Sequence, residues 1–207
     1  MDVHPPHGAI HSWRDFFIHL VVITLGLLIA LGLEGIVGWG HNKHLVHIAE
    51  ANLRAELLAN RKTLADDFRF LNNAQRQTES DLSILSAFKG TKHASAELTF
   101  RWTWNSPESA AWDTARNTGA VALMNYQTAQ TYSDIYAQQA TVAAQSYAFI
   151  RDIYRTSAPL EGGRGLKDLK PAELDTMTAN AQQTLADLKY LRDLSDSLAR
   201  LYEKAPE

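Results

Sequence analysis

Residues 16–37 read FFIHLVVITLGLLIALGLEGIV, 22 positions without a Lys or Arg. About 20 apolar residues in a helix cross a hydrocarbon core roughly 30 Å thick, so this stretch is long enough to span a membrane once. A cleaved signal sequence has a shorter apolar stretch, roughly 7 to 15 residues, followed by a small-x-small site. Here apolar sequence continues through Leu33, Glu34, Gly35 and Ile36 with no such site, which predicts a retained anchor. Trp13 and Trp39 bracket the run as interface anchors. Their separation in a helix, roughly 39 Å, matches the distance between the two headgroup levels.

Gly26, Ala30, Glu34 and Gly38 recur every four residues and fall on nearly one face of that helix. Small residues so arranged let a second helix approach closely, where lipid tails remove the usual hydrophobic drive. This stripe is the expected association face of the membrane segment. Glu34 has three readings: a carboxylate reaching the interface five residues before Trp39, a contact to a partner helix, or one member of a ring lining an ion path. His19 sits near the opposite end and is read as interfacial.

Outside the anchor the chain is polar. Net charge is −3, no Lys/Arg block exceeds two residues, and nothing predicts a nucleic-acid partner. The absence of cysteine excludes disulfides, Cys-based metal sites and thiol catalysis. Three parts follow: a tail at 1–15, a transmembrane helix at 16–38, and a helical soluble domain at 39–207 with an irregular aromatic segment at 89–105. About 165 residues are enough for one domain with its own core. The Lys/Arg balance around the anchor is nearly even, and the commoner insertion mode predicts an extracytoplasmic domain.

After a loosening at Gly38-Trp39-Gly40, a helix is expected from Asn42 to Phe88, with Leu53, Leu57, Leu64, Phe68, Leu71, Leu82 and Leu85 as its buried stripe. In the segment that follows, Leu98, Phe100, Trp102 and Trp104 alternate with polar residues, an extended pattern with one buried face. Ser106-Pro107-Glu108 reads as a helix start, with a capping hydroxyl and Pro at the first helical position; that helix carries Trp112 and ends near Gly119. Val121 to Met124 is a short apolar stretch. A helix from Gln127 to Arg155 carries Tyr132, Ile135, Tyr136, Val142, Tyr147, Phe149, Ile150 and Tyr154. Glu161 to Gly165 forms a loop without the Lys-Ser/Thr of a phosphate-binding loop. Pro171 opens the last helix, reaching Lys204, with Leu174, Met177, Ala181, Leu185, Leu188, Leu191, Leu198 and Leu201 as its stripe. The expected fold is all-α: one N-terminal transmembrane helix, a long helix, and an antiparallel four-helix-like bundle.

Two stretches, VVITLGLLIALGLEGIVGW and AWDTARNTGAVALMNYQTAQTYSDIY, together resemble a broad uncharacterised group of bacterial single-pass membrane proteins. The group's anchor reads roughly V-x-x-G-I-L-I-A-L. An aromatic-centred helix, a Ser/Thr-Gly pair, an apolar turn and a Tyr-containing helix follow it. The matching positions are Gly26 to Leu31, Trp112, Thr118-Gly119, Leu123-Met124, and Tyr132 or Tyr136, and Gly-Leu-Glu-Gly departs from the polar amides of relatives at the anchor's end. The resemblance implies a bacterial inner-membrane location and the helical architecture. It supplies no activity.

Chemistry-bearing clusters are sparse. His4, His7 and His11 in the tail, and His41, His44 and His47 on one helix face, lack the further ligands a metal needs. Glu56, Asp66, Asp67 and Glu79 are without the Glu-x-x-His that marks a di-metal bundle, and are read as solvated helix surface. No catalytic residue, metal or cofactor is therefore expected. The expected function is a non-enzymatic accessory or scaffold subunit whose partners are itself or another integral membrane protein, and lipid. The alternatives are a homo-oligomeric cation conduit with a Glu34 ring, and a sensor holding a ligand or partner against Phe100, Trp102, Trp104 and Trp112.

Overall fold

A computed structural model describes residues 13–92, 97–99 and 104–206. The described residues form helices α1 (Trp13–Thr91), α2 (Ala110–Asn117), α3 (Ala120–Leu123), α4 (Tyr126–Ser157) and α5 (Pro171–Tyr202), with 3-10 turns at Ala158–Leu160 and Leu166–Asp168. There is no β-strand among them. The chain divides into two units, Met1–His47 and Ile48–Glu207, and α1 contributes to both.

In the first unit α1 is apolar on every side and long enough to cross a membrane. Its large side chains are exposed all round, from Phe16 at 41% to Val37 at 72%. Trp13 stacks on Phe17 with ring centroids 5.5 Å apart, and the Lys43 ammonium lies 5.2 Å from the Trp39 ring. The loosening expected at Gly38-Trp39-Gly40 does not occur; these residues are helical. Each interior Gly costs only about 1 kcal/mol relative to Ala, and no Pro interrupts the backbone ladder.

The second unit is organised by one period. The buried residues of α1 include Leu53, Leu57, Asn60, Leu64, Asp67, Leu71, Ala74, Thr78, Asp81, Leu85 and Phe88, at strictly alternating steps of four and three. Those of α4 include 132, 135, 139, 142, 146, 149, 153 and 156, and those of α5 run 174, 177, 181, 184, 188, 191, 195, 198 and 202. This 3.5-residue period is that of coiled-coil packing. It explains why Phe68, Leu82, Ile150, Leu185 and Leu201 are only half-buried and Tyr147 and Tyr154 exposed, while Asn60, Asp67, Asp81, Gln139, Thr184 and Ser195 go inside.

Pair contacts set the directions. Glu56 meets Tyr136 and Phe70 meets Phe149, so α4 runs the same way as α1. Arg61 bonds the Tyr202 carbonyl, Arg192 bonds Asn72 and Lys89 pairs with Asp175 at 2.7 Å, so α5 runs the opposite way. A parallel pair needs a return between its members, and the described residues 97–99 and 104–109, here called the strap, lie along it. Thr99 lies at Asp81, Trp104 at Phe70, Glu108 at Asn60 and Ala111 at Glu56, a descent along α1. From Trp104 to Glu108 four residues run alongside about ten helical residues, roughly 15 Å, close to the full reach of extended chain once the side-chain contacts at each end are included. The all-α class with one long N-terminal apolar helix is as expected. The described residues contain three long helices, two of them parallel, and an extended strap where a fourth helix would stand.

Gly119 adopts φ of 78° between α2 and α3, a left-handed conformation that a Cβ would strain. Asn125 starts α4 by accepting the Gln127 N–H at 2.9 Å. Before α5, Arg164 makes two 3.0 Å bonds to Glu173, whose Oε2 also accepts the Lys170 N–H at 2.7 Å. At this end Leu166, Leu169 and Leu174 close over Ile84, Leu85, Phe88 and Met177, with Leu98 of the strap against them.

Candidate functional site

The strap has no neighbouring strand, so its backbone polar groups need other partners. Buried polar residues of α1 supply them. Asn60, 1% exposed, donates through Nδ2 to the Glu108 carbonyl and accepts the Glu108 N–H at Oδ1, both at 2.8 Å. Asp81 accepts the Thr99 N–H at 3.3 Å and a bond from Gln77 at 3.0 Å, and burial pushes its carboxyl above the usual range. Glu56 accepts the Ala111 N–H at 2.8 Å through one oxygen and the Tyr136 hydroxyl at 2.6 Å through the other.

This arrangement moves the start of α2. Its first residue is Ala110, not Pro107, because both backbone groups of Glu108 are committed to Asn60. Ser109 makes no capping bond. Glu56 caps the helix instead from α1, putting a carboxylate at the positive end of the α2 dipole. Trp112, the next residue after Ala111, lies parallel to Tyr136 at 5.1 Å and 5°. Burial, then the bond to Glu56, drives the Tyr136 phenol far above its ordinary value, so it stays a hydrogen-bond donor at any physiological pH.

A second polar group lies further along α1. Tyr202 accepts from Gln139 at 2.9 Å, and burial pushes its phenol up to about 12. Arg61 holds the Tyr202 carbonyl at the end of α5. Asp67 is 3% exposed with Oδ2 unpartnered, and burial, assisted by Asp66, pushes its carboxyl up to about 7. A cavity of about 400 Å³ opens beside this group, lined by Arg61, Leu64, Ala65 and Phe68 of α1 and by Ala199, Tyr202 and Glu203.

The residues singled out in the sequence are dispersed. Trp104 packs edge-to-face on Phe70 at 5.6 Å with its Nε1 buried and unpartnered, whereas Trp112 stacks on Tyr136. Phe70 and Glu56 are separated by about 21 Å of helix, so the two indoles do not share a pocket. Phe100 and Trp102 lie outside the described residues, as does the 1–12 tail with His4, His7 and His11. Gly26, Ala30, Glu34 and Gly38 are exposed on α1, and a Cβ added at Gly26 or Gly38 would meet nothing within 4 Å. Trp13 and Trp39 are likewise exposed. His41, His44 and His47 are exposed, and no three His, Cys, Asp or Glu among the described residues form a metal-holding group.

Glu56 and Asp67 correct an expectation: read as solvated surface, they are buried. An apolar stripe does not reveal polar seam positions. The strict 4-3 spacing from Leu53 to Phe88 would have revealed them, because Asn60, Asp67 and Asp81 fill its gaps. No family model matches the chain, and no curated protein or solved structure matches it either.

Proposed function

We propose that this protein is a membrane-anchored, non-enzymatic accessory or scaffold subunit, held by α1 in the bacterial plasma membrane with its helical unit on the extracytoplasmic side. The observation that carries the reading is the all-round exposure of large apolar side chains over 16–37. Only lipid or another apolar helix can cover such a surface. The second unit, by contrast, buries its own seam among three helices and a strap. Tyr136, the most chemically suggestive group in that seam, is committed to holding Glu56. Association is assigned to the open stripe at Gly26, Ala30 and Gly38, where a partner helix can approach closely.

The test is the mass of the intact protein extracted in mild detergent, with co-purifying chains identified. Gly26→Leu and Ala30→Leu are expected to release the partner helix, from a second copy or another membrane protein, while Glu34→Gln leaves the complex and membrane conductance unchanged. A monomer in mild detergent without companions would overturn the reading. A conductance lost on Glu34→Gln with assembly intact would replace it with the cation conduit.

A further inference from the structure

Asp67 occupies a seam position between Leu64 and Leu71, both nearly inaccessible, and one carboxyl oxygen has no hydrogen-bond partner. Among the described residues, the buried positions of α4 and α5 contain no Lys, Arg or His. The hydroxyls that could serve a carboxylate at this depth are engaged within their own helices, Ser146 with the Ala143 carbonyl at 2.7 Å and Ser195 with the Leu191 carbonyl at 2.8 Å. The ionisable group acting on it is Asp66 on α1, which disfavours an anion, while Tyr202 on α5 is a neutral phenol that accepts from Gln139, and Arg61 is directed at the Tyr202 carbonyl. On α4 the seam offers the phenols of Tyr132 and Tyr136 and the amide of Gln139, which bonds Tyr202. On the strap, Trp104 lies against Phe70. An ionised Asp67 has no cation and no committed donor in the closed seam, so it must be reached by water. A cavity opens at Tyr202, which α1 lines with Arg61, Leu64, Ala65 and Phe68 on either side of Asp67 in the chain.

We propose that Asp67 is a proton-controlled latch on the α1–α5 seam. Protonated, it stays inside and the last turn of α5 closes on α1. Ionised, it gives its proton to bulk water, admits water through the Tyr202 cavity and loosens that turn.

The test is hydrogen exchange of the full chain in detergent micelles between pH 5 and pH 8, corrected for the intrinsic pH dependence of exchange. In the wild type, opening of the amides at 198–203 should increase roughly fifty-fold from pH 5 to pH 7 and level off above, while those at 84–88 stay constant. Asp67→Asn, which cannot ionise, should abolish the dependence. An unchanged dependence in Asp67→Asn, or none in the wild type, overturns the proposal. Because the variant can fold poorly, the Asp67 carboxyl carbon is also titrated by NMR in the wild type. Titration near neutrality supports the latch, and titration below pH 5 refutes it.

Discussion

Replacing Asn60 with Leu removes the strap's central clamp while keeping the number and branching of side-chain heavy atoms. The Asn60 amide makes two 2.8 Å bonds to Glu108, one to its N–H and one to its carbonyl. Each such bond contributes about 1 kcal/mol net, and a backbone group left unpaired where water is scarce adds about 1 kcal/mol or more. The expected loss is therefore about 2–4 kcal/mol, from polar groups of the strap and not from a cavity. Denaturant unfolding of the full chain in micelles would read it as a lower midpoint with an unchanged slope. Limited proteolysis should in addition cut faster between 97 and 109, because the strap detaches before the helices unfold. A loss below about 0.5 kcal/mol, with the strap still protected, would refute the assignment of Asn60 as its anchor. A large loss without faster cleavage there would show that Asn60 supports the helix seam and not the strap.

Three further outcomes follow from neighbouring contacts. Tyr136→Phe should cost about 1.5–3 kcal/mol, the range for a bond to a charged acceptor. Glu56→Ala should cost more, because it also uncaps α2 at Ala111, and circular dichroism of the variant should show the loss of that short helix. Leu71→Ala should cost about 2–5 kcal/mol in the same unfolding measurement, whereas Leu58→Ala, at a 68% exposed position of the same helix, should stay within about 0.5 kcal/mol. The carboxyl of Asp67 has a folded-state pKa above its unfolded one, so the folded protein binds the extra proton and stability declines as pH rises from about 4 to about 7. The full loss is at most about 4 kcal/mol and holds above pH 7. Asp67→Asn should be the more stable protein at pH 8, compared by unfolding midpoint.

The sequence alone determined the elements. A charge-poor run from Phe16 to Val37 is long and apolar enough to cross a bilayer, so the candidate span is legible without any partner in view. The long helices are legible for a similar reason, since the 3-4 recurrence of Leu is a local property of each segment. Pro171 and Gly119 mark helix boundaries through their own backbone restrictions. The tertiary structure decided what packing between distant segments controls. Asn60, Asp67, Asp81 and Gln139 fall on the 4-3 spacing, but what each meets inside is set by segments distant in the chain. Ser106-Pro107-Glu108 carries every local sign of a helix start, yet α2 begins at Ala110 because two side chains some fifty residues earlier claim the backbone there. The parallel course of α1 and α4 likewise depends on a strap whose partners lie on α1 and cannot be read from its own residues. Local preference sets which helices form, and the need to pair every buried polar group sets how they are joined.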